Sequence, residues 1–230
     1  MFDRLEGSFR KLSDFSSDIA HELRTPVSNL MMQTQFALAK VRDVSHYREI
    51  LFANLEELKR LSRMTSDMLF LARSEHGLLQ LDKQDVNLAE ELNELRELFE
   101  PLAEETGKTI TVEGDGIVAG DSDMLRRAFS NLLSNAIKYS PDNTRTSIQI
   151  AQGSDYVEVV ISNPVSGGVP ANLERLFDRF YRADSSRVHN TEGAGLGLSI
   201  TRSIIHAHGG ELSAEQQGRT ILFSVRLLMR

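Results

Sequence analysis

The chain has no cysteine and no tryptophan among its 230 residues. The absence of cysteine excludes disulfides, thiolate zinc sites and a cysteine nucleophile, and it is typical of proteins from a reducing compartment. No uncharged apolar run approaches the ~20 residues that cross a bilayer, and the charged N-terminus is unlike a secretory signal peptide. A formal net charge of −7 argues against a general nucleic-acid-binding role.

The first third of the chain is also poor in helix breakers, with only Gly7 and Pro26 before residue 76. Apolar residues recur there at three- and four-residue steps, which is the period of an amphipathic helix. The pattern breaks near residues 43–45, where Ser45 is a suitable N-cap, and then resumes. These features predict a long helical hairpin. Because two helices bury little surface, we expect two hairpins to pair into a four-helix bundle and the protein to be a homodimer.

From about residue 83 the pattern changes, and short strand-like runs alternate with helical ones. This order predicts an α+β layer with helices on one face of a mixed sheet. The predicted helices cover residues 88–105, 121–139 and 198–207, and the predicted strands cover residues 108–112, 146–151, 156–162, 211–216 and 220–227.

A histidine on the first predicted helix could act as a nucleophile. His21 lies outside the apolar stripe, so we expect its ring to reach solvent, and imidazole is a good nucleophile near neutral pH. Glu22 could hold the proton of the other ring nitrogen. Thr25, one turn on, could position a water against a phosphoryl group on His21, and Pro26 should bend the helix there. Taken alone, a histidine on a helix is more often an ordinary surface residue. His21-Glu22 also resembles the start of the zinc-protease motif H-E-x-x-H, but Thr25 stands where the second zinc-binding histidine must be, which excludes that kind of site.

A polar stripe is predicted on the helix over residues 121–139. Asn131, Asn135 and Lys138 follow i, i+4, i+7 spacing and therefore share one face. Two amide oxygens and an ammonium suit a Mg²⁺–phosphate group, because Mg²⁺ prefers oxygen ligands and lysine supplies a point charge. The simpler interpretation of the stripe alone is a solvated helix face.

Three glycines at steps of two, Gly193, Gly195 and Gly197, precede the last predicted helix. Glycine lets backbone amides approach phosphates at a helix start. The spacing is not G-x-G-x-x-G and no strand directly precedes it, which weakens a dinucleotide-binding interpretation.

The aromatic segment 177–182 could belong to the core or close a base pocket, and Arg182 could reach a terminal phosphate.

The chain contains four motifs, in the order 21–26, 131–139, 177–182 and 193–197. Together they resemble the motifs of bacterial sensor histidine kinases of two-component systems. The resemblance covers nearly the whole chain. It implies an all-α helical hairpin over residues 1–78, which dimerises into a four-helix bundle, followed by an α/β sandwich ATP-binding domain of the GHKL (Bergerat) type over residues 83–230. Residues 1–12 resemble the tail of a juxtamembrane signalling helix. The chain is then expected to be the soluble cytoplasmic portion of a protein anchored in the bacterial inner membrane.

The resemblance also implies an activity and its residues. His21 would be phosphorylated from ATP with Glu22 as general base, and the phosphoryl group would pass to an aspartate of a response regulator receiver domain. Thr25 matches the position linked to phosphatase activity toward that regulator. The implied ligands are ATP and Mg²⁺, with Asn135 as the metal ligand. The implied nucleotide-binding residues are Asn131, Asn135, Lys138, Tyr139, Asn163, Gly167, Arg182, Gly193, Gly195 and Gly197.

One motif departs from the family pattern. Where the family usually has Asp-x-Gly-x-Gly, this chain has Asn163-Pro164-Val165-Ser166-Gly167. The usual aspartate accepts a hydrogen bond from the adenine amino group, and an amide oxygen can still accept that bond without carrying a charge. The Asn-Pro pair is similar to that of the copper/silver-sensing and other heavy-metal sensor kinases.

Two alternative functions stay open for the chain. One is an ATP-binding but kinase-inactive dimeric scaffold or phosphatase, and the other is a GHKL ATPase of the chaperone or topoisomerase kind.

Overall fold

The computed structural model describes the backbone of residues 2–41, 43–165, 172–182 and 194–229, and the side chains of these ranges from residue 18 onward. The chain divides into two compact units, Met1–Leu69 and Phe70–Arg230, and each is described by itself. The predictions for Gly167 and Gly193 fall outside the described residues.

Two long helices confirm the predicted hairpin: α1 over Phe2–Leu38 and α2 over Val44–Glu75. The predicted cap of α2 was wrong, because Asp43 rather than Ser45 occupies the N-cap position. The Asp43 carboxylate accepts hydrogen bonds from the backbone N–H of His46 at 2.8 Å and from the Ser45 hydroxyl at 2.7 Å. Asp43, two residues before Ser45, reaches the third N–H of the helix, which the Ser45 side chain does not. These bonds hold the pKa of Asp43 below its ordinary value.

A single hairpin leaves a broad apolar face uncovered. Two helices can bury only the seam between them, so the opposite apolar positions stay in contact with solvent. Isolated apolar side chains are common on protein surfaces, but a contiguous apolar patch usually marks an interaction site. The large exposed apolar side chains on the two helices include Val27, Met31, Met32, Phe36, Leu51, Phe52, Leu55 and Leu58.

In the described part of the second unit, strands and helices alternate as the sequence predicted. A 3-10 helix over Leu173–Phe177 lies between the fifth strand and the last helix. The other elements, in chain order, are β1 Gln84–Asn87, α3 Leu88–Glu104, β2 Thr109–Glu113, β3 Ile117–Gly120, α4 Ser122–Tyr139, β4 Arg145–Gln152, β5 Tyr156–Pro164, α5 Gly197–Ala207, β6 Glu211–Gln217 and β7 Thr220–Leu228.

The main sheet has the strand order β2-β4-β5-β7-β6, with β2 parallel to β4 and the other pairs antiparallel. Along β5 every second residue from Val157 is buried, and α3, α4 and α5 pack against the sheet. This confirms the predicted layer of helices on a mixed sheet. The separate antiparallel pair of β1 and β3 was missed. Each has only four residues, and β1 has one apolar residue, Val86, so no alternation was visible.

A buried histidine connects the C-terminal end of α5 with the start of α4. His208 Nε2 accepts a hydrogen bond from the backbone N–H of Asp121 at 2.9 Å, and Nδ1 lies 2.8 Å from the carbonyl oxygen of Ile204. A backbone N–H can only donate and a carbonyl can only accept, so the ring is neutral with its proton on Nδ1. Burial lowers the pKa of His208 below its ordinary value of 6.5, and the charge of Lys83 acts in the same direction.

We expect the stability of the second unit to decrease between about pH 7.5 and about pH 5.5, because unfolded His208 takes up a proton there that the native ring resists. His208→Gln should be less stable at the higher pH and should lose less stability on acidification. Urea unfolding followed by circular dichroism at both pH values measures this difference. His206→Gln, exposed on the same helix, is the control and should keep the wild-type pH dependence. Equal pH dependence of His208→Gln and wild type would contradict the assignment.

Candidate functional site

The histidine motif lies on α1, in the first unit. His21 and Thr25 are exposed and Glu22 is half-buried, so the expected exposure of the imidazole is confirmed. Among the residues that the structure describes, no hydrogen bond joins the His21 and Glu22 side chains, since consecutive residues on a helix do not face each other. The helix continues through Pro26 and ends only at Leu38. The ring of His21 is therefore accessible to a reactant from solvent.

The polar stripe on α4 is present in the second unit. Asn131 and Asn135 are half-buried, and Lys138 is exposed. The side-chain amide of Asn131 donates to the carbonyl oxygen of Gly197 at 3.2 Å, which ties α4 to the first residue of α5. The ammonium of Lys138 lies 5.3 Å from the ring centre of Tyr139, within cation–π distance. Asn131 therefore links two helices, while Asn135 and Lys138 extend the same face.

The aromatic segment and the glycine segment are joined through their backbones. The N–H of Phe180 donates to the carbonyl oxygen of Gly195 at 3.0 Å. Both residues have positive φ, +58° at Phe180 and +71° at Gly195. A Cβ at Gly195 would lie 2.8 Å from the backbone of Phe180. The two segments can therefore approach this closely only because residue 195 is glycine. Exposed Arg182 follows two residues after this contact.

The open question about the aromatic residues is answered for Phe177. Its side chain is buried, and its ring meets that of Phe223 edge-on at 6.4 Å between centres. Phe177 is therefore a core residue, which anchors the segment that leads to Arg182. The positive φ of Phe180 was missed by sequence reasoning. Phenylalanine rarely adopts this conformation, and no residue pattern announces it.

The start of α5 offers backbone donors. Leu196 occupies the N-cap position, is buried, and makes no side-chain capping bond. The first N–H groups of a helix have no partner inside the helix, and they attract anions when a side chain does not cap them. Gly197 places no side chain over this turn. The described part of the glycine segment can thus present backbone N–H groups to a phosphate.

A buried amide at the end of β5 has an acceptor without a partner. Asn163 is 1% exposed, and its Nδ2 donates to Ser140 Oγ at 3.2 Å and to the carbonyl oxygen of Pro164 at 3.0 Å. Its Oδ1 is buried, and no described residue donates to it. Leaving such an atom unpaired costs roughly 1–3 kcal/mol. The arrangement fits a ligand that brings its own hydrogen-bond donor. Sequence reasoning found Asn163 but missed Ser140.

Three contacts connect these segments into one site: Asn131 with Gly197, Ser140 with Asn163, and Phe180 with Gly195. The first starts from the C-terminal half of α4, and the second starts from Ser140, the residue that follows the last residue of α4. In the described ranges no group of three or more His, Cys, Asp or Glu side chains could hold a metal ion. A Mg²⁺ at Asn135 would therefore take most of its ligands from water and from phosphate oxygens, as this ion commonly does.

No helix among the described residues combines the length and the apolar character that crossing a bilayer requires.

Two protein families match the chain. The His Kinase A (phospho-acceptor) domain matches residues 11–77, and the histidine kinase-, DNA gyrase B-, and HSP90-like ATPase matches residues 120–229. The matched ranges contain His21 and the α4 stripe, respectively. The two families therefore occur in the order that the motifs indicated.

Similar proteins include the probable sensor protein PcoS of Escherichia coli, which is 88% identical over 229 residues, covering 100% of this chain and 49% of that protein. The sensor histidine kinase CusS of Escherichia coli K12 is 44% identical, covering 99% of this chain and 48% of that protein. The crystal structure of histidine kinase ThkA in complex with response regulator protein TrrA is similar in fold, with a TM-score of 0.74 at 23% identity over 94% of this chain and 61% of that chain. The chain spans about half the length of the curated relatives.

We expect Gly195→Ala to destabilise the second unit through the contact with Phe180. A positive φ at a non-glycine residue costs of order 1–3 kcal/mol, and the added Cβ also meets the Phe180 backbone. Gly218→Ala is the matched control, since Gly218 has φ +63° and nothing lies within 4 Å of its Cβ position. Urea unfolding should show a larger loss for Gly195→Ala. Equal losses in the two variants would mean that the close approach contributes nothing.

Proposed function

Because the chain belongs to the sensor histidine kinases, we propose that it transfers a phosphoryl group from ATP bound in the second unit to His21 in the first. The observation that carries the proposal is the buried Oδ1 of Asn163, to which no described residue donates and whose amide is bonded to Ser140 at the end of α4, the helix that carries the polar stripe. A base with an exocyclic amino group supplies the missing donor, and the stripe suits its phosphates. We propose residues 1–78 as the dimerisation and phosphotransfer domain and residues 83–230 as the ATP-binding domain.

In this proposal the second unit binds the nucleotide at both ends. Asn163 accepts a hydrogen bond from the adenine amino group, and Tyr139 lies beside the nucleoside. Lys138 and exposed Arg182 supply positive charge to the phosphates, which carry several negative charges. The uncapped start of α5 supports the phosphate assignment. The glycine residues assigned to the same pocket are Gly167, Gly193, Gly195 and Gly197.

We assign the metal to Asn135. Its amide oxygen is a hard ligand of the kind that Mg²⁺ accepts, and Asn131 supports the same helix face through its bond to Gly197. Held there, Mg²⁺ would supply positive charge to the phosphates of the nucleotide. The task of the chain is then to hold the nucleotide in position for a nucleophile.

The nucleophile in the proposal is a ring nitrogen of His21. It forms a bond to the γ-phosphorus while the bond from that phosphorus to the bridging oxygen breaks and ADP leaves. Glu22 acts as the general base for the imidazole proton. The phosphoryl group then passes to an aspartate of a response regulator receiver domain, and Thr25 positions a water when the regulator is dephosphorylated. The exposed position of His21 suits a group that two different proteins or domains must reach.

The uncovered apolar face of the hairpin supports a homodimer formed through α1 and α2.

We further propose that the full-length protein is anchored in the bacterial inner membrane, with this portion on the cytoplasmic side, and that it signals a response to copper or silver. The similarity to PcoS and CusS and the Asn163-Pro164 pair support that assignment. No nucleic acid is proposed as a partner, in keeping with the net charge of −7.

Incubation with γ-³²P-labelled ATP and Mg²⁺ tests the transfer. We expect label that is lost in acid, because phosphohistidine is acid-labile, and no label on His21→Gln. Label on His21→Gln would contradict the assignment of the phosphoacceptor. Nucleotide binding without label on the wild-type chain would instead favour the kinase-inactive scaffold or phosphatase.

Asn135→Ala tests the metal assignment. We expect at least a tenfold loss of affinity for ATP in the presence of Mg²⁺, and a much smaller loss in EDTA, because only the metal-bound form uses the amide oxygen. Isothermal titration calorimetry under both conditions measures the two affinities. Ser134→Ala, exposed on the same helix, should bind like wild type. A loss of affinity that is equal with and without Mg²⁺ would argue against a metal ligand.

A further inference from the structure

The Asn163 amide belongs to a chain of hydrogen bonds that starts in α4. The Ser140 hydroxyl donates to the carbonyl oxygen of Ala136 at 2.6 Å. Ser140 Oγ in turn accepts from Asn163 Nδ2 at 3.2 Å. Ser140 is 6% exposed and Asn163 is 1% exposed, so water does not replace these bonds easily.

The direction of this chain is fixed by its end. The carbonyl oxygen of Ala136 can only accept, so the single hydroxyl proton of Ser140 is used there. Ser140 Oγ must then act as an acceptor toward Asn163. The carbonyl oxygen of Pro164, 3.0 Å from Nδ2, imposes the same orientation. A flipped amide would set its oxygen against two acceptors, and Oδ1 is therefore the atom that remains for a ligand.

We propose that Ser140 is a positioning residue that sets the base specificity of the nucleotide site. An asparagine free to flip could face either a donor or an acceptor. With Ser140 in place, Asn163 presents only an oxygen. Adenine carries an amino donor at position 6, whereas guanine carries a carbonyl oxygen there. The fixed amide accepts the adenine amino group and repels the guanine oxygen. This inference rests on the proposed nucleotide-binding function and adds the residue that makes an uncharged asparagine selective.

Nucleotide analogues test the recognition without any change to the protein. Isothermal titration calorimetry on the full chain would compare ADP, GDP and purine riboside diphosphate, which lacks the amino group. A site built around a hydrogen bond discriminates strongly against a ligand that cannot make it. We expect GDP to bind at least tenfold more weakly than ADP, and the purine riboside to bind more weakly than ADP as well. Equal affinities for ADP and the purine riboside would overturn the inference.

Two variants test the part played by Ser140. Ser140→Ala removes one of the two constraints on the amide and should lower the ADP-to-GDP affinity ratio at least threefold. Ser140→Thr keeps the hydroxyl and should keep the wild-type ratio. The ratio separates positioning from a general structural role, since a damaged pocket loses affinity for both nucleotides alike. A proportional loss of both affinities in Ser140→Ala, or a Ser140→Thr variant that matches Ser140→Ala, would overturn the inference.

The same titrations separate this inference from the proposed function. A wild-type chain that bound ADP and GDP equally well would overturn the role of Ser140 and the adenine contact of Asn163, while nucleotide binding and phosphoryl transfer to His21 would still stand. A wild-type chain that bound neither nucleotide would overturn both. Circular dichroism of each variant, compared with wild type, shows whether a lost affinity reflects an unfolded second unit.

Discussion

The C-terminal end of α4 is held by two side chains from outside the helix, and the proposed nucleotide site depends on one of them. The carbonyl oxygen of Ala136 accepts the backbone N–H of Ser140 at 3.1 Å, and the Ser140 hydroxyl gives it a second bond at 2.6 Å. The carbonyl of Ile137, one residue on, is among those that have no partner within the helix. The ammonium of Lys108, which is almost completely buried, donates to Ile137 at 3.0 Å and lies 3.6 Å from an Asp142 carboxylate oxygen. These two side chains hold the end of the helix that carries the polar stripe. The Ser140 hydroxyl oxygen also orients the buried amide at the end of β5, so the side chain that holds the helix end serves the proposed recognition of the base as well.

The parts of the fold that depend on repeated spacing could be predicted from the sequence. The hairpin, the α4 stripe and the strand pairs β4–β5 and β6–β7 all repeat over many residues, and their predicted positions agree with the structure to within a few residues. Features that depend on one residue or one contact were missed or wrong. Asp43 replaced Ser45 as the cap of α2, and Phe180 has a positive φ that its residue type does not suggest. The four-residue strands β1 and β3 were too short to show a period.

The candidate site shows the same division. Motif spacing found Asn131, Asn135, Asn163 and Gly195, because each stands at a distinctive position in the chain. The contacts that give these residues a direction come from elsewhere in the fold. Ser140 is 23 residues away from Asn163, and Phe180 lies 15 residues before Gly195; neither pairing follows from any local pattern. Sequence therefore indicated which residues to propose for the site, and the structure was needed to show which atoms Asn131 and Asn163 use in their contacts.

The uncovered apolar face of the hairpin has a consequence for the cell that makes this protein. If a second copy covers that face, the formation of the first unit is second order in chain concentration, and its stability cannot be separated from the amount of protein present. A cell with few copies would then hold part of the population as single chains that lack a phosphotransfer bundle. The signal output would rise more steeply than in proportion to gene dosage, so the expression level itself would become a threshold for the response.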